Sequence, residues 1–449
     1  MMKSINIIGA GLAGSEAALQ LASFGVKVRL FEMKPNKYSE AHSLPGFAEL
    51  VCSNSLKSIQ THRASGLLKE ELQLLGSYLI KYAEATSVPA GKALAVDREL
   101  FSGLVTKEIE NNPNIEVIKQ ELTSINSNEP TIIATGPLTS ESFAEEIAKL
   151  TGQEHLYFFD SIAPIVDAES LDYSKMFEAS RYLGLASQSP GILKQVQDDI
   201  QSGDYLNCPM SKDEYYAFVD ALVNAELAKV HDFDKKSLFE GCLPVEEIAS
   251  RGRETLAYGP LKPVGLGKDI REVYAVVQLR KENKEASIYN LVGFQTRLSF
   301  SAQKRVFRMI PGLEKAEFVR LGRMHKNMFI NSPDLLNANM TFKGNKNIYF
   351  AGQISGVEGY VESIMSGLCV AKQLYANLSN AEFIKPPLTT ICGSLLNYIL
   401  NSDPKYFQPM NANFGILPKS ENRIPKKQRG SFYAKRSLRD FNDCLSACI

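Results

Sequence analysis

Gly9-Ala10-Gly11-Leu12-Ala13-Gly14 follows directly on the apolar run Ser4 to Ile8 and leads into a helical stretch from Ser15 to Phe24. Strand, glycine turn and helix in that order are what a dinucleotide site requires. The first glycine makes the tight turn, the second lets backbone amides approach a pyrophosphate, and the third lets helix and strand pack closely. The amino end of such a helix, with its unpaired amides and dipole, faces the phosphates. After a break at Gly25, Val26 to Phe31 reads as a second strand. Glu32 closes it about twenty residues past the first glycine, where a carboxylate accepts ribose hydroxyls. A Rossmann-type α/β fold starting within these residues is therefore expected.

Two later segments point to a flavin rather than a nicotinamide dinucleotide. Asn347-Ile-Tyr-Phe-Ala-Gly352 reads as another strand ending in glycine, followed by Gln353, Gly356, Glu358, Gly359 and Tyr360 and by a small-residue helix through Ser366, Gly367 and Ala371. This resembles the late segment with which FAD-dependent oxidoreductases bring a helix amino terminus to the flavin. Thr131-Ile-Ile-Ala-Thr135-Gly136 is similar to their mid-chain strand. The expected architecture is a Rossmann-type FAD-binding domain assembled from distant segments, with an inserted α+β domain. Residues 1–136 form its first part, 137–320 the insertion on the substrate and NAD(P)H side, 321–400 the return segment and 401–449 a basic tail. The insertion carries helical patterns (Glu141 to Leu150, Lys212 to Leu227) and strand patterns (Val273 to Leu279, Ser287 to Gly293). It holds no second GxGxxG, so a nicotinamide has to bind without that fingerprint.

Composition narrows the class. With 44% hydrophobic and 22% charged residues, disordered, collagenous and membrane classes lose weight. Fifty Lys plus Arg balance fifty Asp plus Glu, so nucleic acid has to be met by a local patch and not by bulk charge. The start runs straight into a strand, without a signal-peptide core, and no apolar stretch spans a bilayer, which makes the cytoplasm the expected compartment and membrane attachment unexpected. The seven Cys lack zinc spacing, so reduced thiols and no metal are expected. From Asn401 onward nine Lys or Arg stand against four Asp or Glu, with Phe432 and Tyr433 interleaved. That is either a phosphate-backbone strip or a solvated, frayed terminus.

Phe47-Ala-Glu49-Leu-Val-Cys52-Ser53-Asn54-Ser55-Leu-Lys57-Ser58 is long and specific, and resembles the bacterial folate- and FAD-dependent tRNA (uracil-5-)-methyltransferases. Further matches are Gly136-Pro-Leu-Thr-Ser140, Phe159-Asp-Ser-Ile-Ala-Pro164, Ser180-Arg181-Tyr182, Tyr205-Leu-Asn207-Cys208-Pro209-Met210, Gly241-Cys242-Leu-Pro244, Arg323-Met-His325-Lys326-Asn327 and Gly352 to Tyr360. The resemblance implies methyl transfer to uridine C5 in the T-loop of tRNA. Methylenetetrahydrofolate gives the carbon, and reduced flavin, recharged by NADH or NADPH, gives the hydride. Uracil C5 is a poor nucleophile until a thiolate adds at C6, after which a base removes the C5 proton.

By the same resemblance Cys208, in an extended stretch before Pro209 that presents its thiol outward, is the nucleophile at C6, and Cys52 its partner in proton removal or flavin-adduct handling. The reverse order of roles stays open. Ser53, Asn54 and Ser55 are expected to hydrogen-bond the cofactor, and Glu358 and Tyr360 to lie at the flavin. Arg323, His325 and Lys326 are read as a cationic cluster for folate glutamate, nicotinamide phosphate or RNA. The chain departs from the family in Leu183 to Ser202, which looks inserted, and in Cys444 to Ile449, which looks unlike the family's helical tail. Rival readings are the same chemistry on ribosomal RNA, a flavin-binding scaffold or redox sensor, and the longer enzymes that modify wobble uridine, whose motifs are not recognised here.

Overall fold

The computed structural model describes residues 4–181, 203–228, 243–266 and 273–446. Tyr182, the Leu183 to Ser202 segment, Gly241, Cys242 and the last three residues lie outside them.

Short segments from distant parts of the chain meet in one sheet, at whose centre Ile5–Ile8 and Thr131–Ile133 are buried on both faces and so cannot be left at an edge. The strand order is Thr341–Phe342, Asn345–Phe350, Thr131–Ile133, Ile5–Ile8, Val28–Glu32, Ile115–Lys119, parallel throughout except for the first pair. Ile5–Ile8 lies between strands that continue the chain in opposite directions across the sheet, the switch point outside whose carboxyl end α/β sheets bind ligands. Gly9 sits there with φ +97°, and the Leu12–Ser23 helix starts just beyond. That helix begins earlier than the sequence suggests and the second strand later, the glycine turn being tighter than the apolar pattern alone reveals.

The inserted segment forms a second six-stranded sheet in the order Phe177–Glu178, Tyr205–Met210, Ala275–Lys281, Ile288–Leu291, Ile165–Asp167, Phe318–Arg320, antiparallel at every pairing. One face is apolar, with Leu206, Cys208, Met210, Val277 and Leu279 packed into a core shared with the Lys212–Val223 and Phe300–Phe307 helices. The opposite face carries Tyr205, Asn207, Gln278 and Arg280 toward the first domain. There the Tyr205 hydroxyl donates to Ala90 O at 3.0 Å and Arg280 Nε to Asn54 Oδ1 at 2.7 Å. The strand Leu156–Ser161, paired antiparallel with Met324–Phe329, links the two halves and sets Asp160 opposite His325.

The tail is structured. Arg429–Ser446 forms an 18-residue helix with Ala434, Ser437 and Phe441 buried, which corrects the frayed terminus and extends helix through Cys444. Its basic residues mask an amphipathic period, one apolar stripe among charges. Glu71, on the Ala64–Leu74 helix, fastens it. Its oxygens accept from Ser437 Oγ at 2.5 Å and from Ile391 N and Cys392 N at 2.9 and 2.8 Å, at the start of the Ile391–Asn401 helix.

Burial outweighs these hydrogen bonds and pushes the Glu71 carboxyl up from 4.5 to about 7. A carboxyl whose pKa rises on folding stabilises fully below about 4.5, and that contribution fades as pH climbs through 7. Relative to Glu71→Gln, the wild type is expected to lose about 3 kcal/mol of unfolding free energy between those limits. Urea melts of both proteins across that range check it, and parallel pH curves would contradict it.

Candidate active site

The glycine turn is built for close approach. A Cβ on Gly9 would lie 2.6 Å from Ala134 O and one on Gly14 would lie 1.8 Å from Gly9 O, whereas the side of Gly11 faces open space. No acid occupies the first turn of the Leu12–Ser23 helix, so its amino end stays favourable to a diphosphate. Ala13, on the same turn, lies beneath Gly352, where an added Cβ would come within 2.8 Å of its methyl. The early and late segments therefore close on each other.

Gly9, Gly11, Glu32, Ala134, Thr135 and Leu138 line a cavity of about 630 Å³. Glu32 is buried, with Oε2 accepting from Ala10 N at 2.8 Å and Oε1 from Lys34 N at 3.0 Å. The carboxylate thus shapes the glycine loop and keeps lone pairs for ribose hydroxyls. Beneath it lies a buried ion pair between Lys34 and Glu49, 3.6 Å apart, which the sequence reading missed because neither residue belongs to the fingerprint.

Leu138 also borders a second cavity of about 1110 Å³, lined by Cys52, Ser53, Ser55, Asp160, His325, Gln353, Glu358, Gly359 and Tyr360 among others. Gly136, at φ +71°, turns the chain just before it, and Gly352 and Gly356, at φ +79° and +89°, bracket the short turn that delivers Gln353. The Tyr360 hydroxyl accepts from Cys52 N at 2.7 Å and from Ser53 N at 3.1 Å. Cys52 Sγ lies 3.6 Å from Ser161 O. Burial, reinforced by the Asp160 carboxylate, pushes the thiol well above its ordinary range, so at rest it keeps its proton. Burial and the same Asp160 raise the Glu358 carboxyl, which also accepts a hydrogen bond from Gln353 Nε2. The two cavities share Leu138 in their walls, so a dinucleotide with its diphosphate at the glycine turn would direct its ring side toward the second.

Guanidinium groups from the inserted sheet hold the same loop. Arg280 Nη2 donates to Ser53 Oγ at 2.9 Å and Arg320 Nη1 to Val51 O at 3.1 Å. Neither arginine carried a signal in the sequence, since strand spacing alone does not say which face meets another domain.

Replacing Tyr360 by Phe leaves two amides without an acceptor, at about 1–3 kcal/mol each. The Cys52 loop is then expected to loosen, and iodoacetamide to modify Cys52 at least about threefold faster. Peptide mass spectrometry reads the rate, and an unchanged rate would refute the hydroxyl's holding role.

Three expectations need correction. Cys208 does not present its thiol outward: it is fully buried, paired with Val277 on the apolar face, while the face turned toward Cys52 belongs to Tyr205, Asn207 and Arg280. Successive strand residues point to opposite faces, so its neighbours take the place expected of it. Burial also raises its thiol. Asn54 does not face the cavity. It is wholly buried, with Nδ2 donating to Val96 O and Lys281 O at 3.1 and 2.9 Å and Oδ1 taken by Arg280.

The third correction concerns Arg323, His325 and Lys326, which form no cluster: Lys326 alternates to the other face of its strand, and Arg323 lies exposed just before the strand begins. His325 turns into the second cavity, buried and driven toward the neutral form by desolvation, with Glu40 3.8 Å away. Lys326 points to the other face, 4.2 Å from the Tyr157 ring centroid, and Arg323 is exposed over Phe300. Among the described residues no His, Cys, Asp and Glu side chains are grouped to hold a metal ion, and no helix is long and apolar enough to cross a membrane.

Sheet order, glycine turn, ribose-side carboxylate and returning strand and helix together define a Rossmann-type FAD-domain fold. Aquifex aeolicus GidA (form II crystal) shares it, with a TM-score of 0.64 at 14% identity over 99% of this chain and 76% of that one. The family model for glucose inhibited division protein A matches residues 4–382. The methylenetetrahydrofolate–tRNA-(uracil-5-)-methyltransferase TrmFO of Citrifermentans bemidjiense is 54% identical over 442 residues, 98% of each chain. Its counterpart in Lactococcus lactis subsp. lactis is 49% identical over 454 residues, again 98% of each. The chain belongs to the methylenetetrahydrofolate–tRNA-(uracil-5-)-methyltransferase family within the GidA group.

Proposed function

We propose that this protein transfers the one-carbon unit of methylenetetrahydrofolate to C5 of a uridine in the T-loop of tRNA, with FAD as its resident cofactor and NADH or NADPH as reductant. The observation that supports this most is the Cys52 loop, held by Tyr360 at the edge of a cavity that shares Leu138 in its wall with the glycine-turn cavity. When bound, FAD reduced by the nicotinamide would supply the hydride that takes the methylene carbon to methyl, with folate leaving as tetrahydrofolate. Gly9 to Gly14 and Glu32 hold the dinucleotide's diphosphate and ribose, and Gln353, Gly359 and the amino end of the Tyr360–Ser379 helix its ring side.

Cys52 takes the proton that leaves C5 as a thiolate, its own proton passing first to the Asp160 carboxylate beside it, and the Glu358 carboxyl lines the same space. Cys208, buried, drops out as the nucleophile at C6. Cys242, in the Gly241 to Pro244 stretch and outside the described residues, is proposed in its place, and variants decide between the two. In this division of labour residues 1–136 and 321–400 serve the flavin, 137–320 the substrate side and 401–449 the RNA.

Mass analysis of nucleosides after gene deletion tests the substrate. Loss of 5-methyluridine from tRNA with ribosomal RNA unchanged is expected. Loss from ribosomal RNA alone would assign the same chemistry to the other pool.

A further inference from the structure

A third concavity lies outside the chemistry just described. It encloses about 1990 Å³, and Arg63, Lys419, Arg423, Lys426, Lys427 and Arg429 line it without a single Asp or Glu. All six are exposed, and no ion pair engages any of them among the described residues. The Ala64–Leu74 and Arg429–Ser446 helices both start at this groove, and neither has an acid in its first turn. Two helix amino ends and six cations thus face one space, an arrangement that favours a polyanion. Their close approach is fixed by Gly430, where a Cβ would lie 2.2 Å from His62 O.

Aromatic faces accompany the charge. Phe414 and Tyr433, both lining the groove, stack at 5.7 Å with an interplanar angle of 26°. Phosphate contacts interleaved with aromatic platforms are how proteins follow a nucleic-acid strand.

The groove also borders the reaction cavity. Asn411 lines the cavity while the next residues, Ala412 and Asn413, line the groove. Ala412 N donates to Glu362 Oε1 at 2.9 Å, and Glu362 is part of the cavity wall. One thin partition therefore separates the two spaces.

We propose that this groove, built from the C-terminal segment and the start of the Ala64–Leu74 helix, seats the phosphate backbone of the RNA whose uridine enters the neighbouring cavity. The proposal rests on the reading of the chain as an RNA methyltransferase. The bound strand runs along Lys419 to Arg429 by charge, without base readout, so affinity here is insensitive to sequence and sensitive to salt.

The test is the combined variant Lys419→Gln, Arg423→Gln, Lys426→Gln and Lys427→Gln in the full-length flavin-loaded protein, assayed with unmodified tRNA transcript. Flavin absorbance and the melting temperature are expected to match wild type, since none of the four residues lines the glycine-turn cavity. KM for tRNA is expected to rise roughly 10- to 100-fold, with kcat at saturating tRNA within about twofold of wild type. The slope of log K against log salt should fall by about 3 for four lost phosphate contacts. The exposed lysines outside the groove, Lys346 and Lys385, replaced by Gln, serve as a control expected to change neither quantity. Should wild type place no methyl on tRNA, the functional reading falls. If wild type methylates and the fourfold variant keeps both KM and slope, or loses kcat alone, the groove assignment is overturned by itself.

Discussion

Replacing Cys52 by Ala is expected to cut methyl transfer to uridine C5 by at least about 10²–10⁴-fold, the range spanned by a positioned proton-transfer group, while the protein stays yellow. On the reading proposed, the Gly9 to Gly14 turn and Glu32, which do not line the Cys52 cavity, carry the diphosphate and ribose, so flavin content should not change. The thiol itself borders the cavity, its amide clasped by Tyr360 and its proton retained by burial and Asp160. Cys208→Ala should behave in the opposite way. Its sulfur sits among Leu206, Met210 and Val277, so truncation leaves a small void worth about 1–2 kcal/mol of stability and transfer within about threefold of wild type. The matched variant Cys242→Ala is expected to abolish transfer with flavin retained. Label transfer to tRNA and the absorbance near 450 nm, read on the same preparations, check all three. Full activity of Cys52→Ala, or loss of activity in Cys208→Ala with stability intact, would reverse the assignment.

Gly14→Ala is expected to be the most damaging single methyl in the chain. The added Cβ would sit 1.8 Å from Gly9 O, where backbone meets backbone and no side chain can swing aside. Either the helix moves off the first strand or the glycine turn opens. Both spoil the diphosphate cradle, and overpacking of this kind costs about 3 kcal/mol or more. The protein should purify colourless, with a lowered melting temperature that excess FAD does not restore. Ala at Gly11, whose side is open, should by contrast fold normally and lose flavin affinity alone. A yellow Gly14→Ala protein of wild-type stability would contradict this account of the turn.

The nucleotide half of the fold was legible because its requirements are local. Gly9, Gly11, Gly14 and Glu32 stand at spacings fixed by one turn and one strand, and the late strand and helix at Asn347 to Ala371 repeat that logic. Cys52, Ser53, Ser55, Glu358 and Tyr360 came out together because they fall in long, specific stretches. Cys208, Asn54 and the Arg323 to Lys326 run were misjudged for one shared reason. An extended segment has two faces, and a linear sequence does not say which of them another domain will cover. Arg280 and Arg320 escaped notice on the same ground, their importance arising only where the inserted sheet meets the Cys52 loop. The tail was obscured by charge: nine cations hide the stripe of Ala434, Ser437 and Phe441 that seats its helix.

Purified flavin-loaded protein incubated with methylene-labelled methylenetetrahydrofolate, NADH and unmodified tRNA transcript tests the central claim most directly. Label in 5-methyluridine at the T-loop, absent when Cys52 is replaced by Ala, is the result predicted. Oxidation of NADH with no label in RNA would contradict it and leave a flavoprotein that does not transfer carbon.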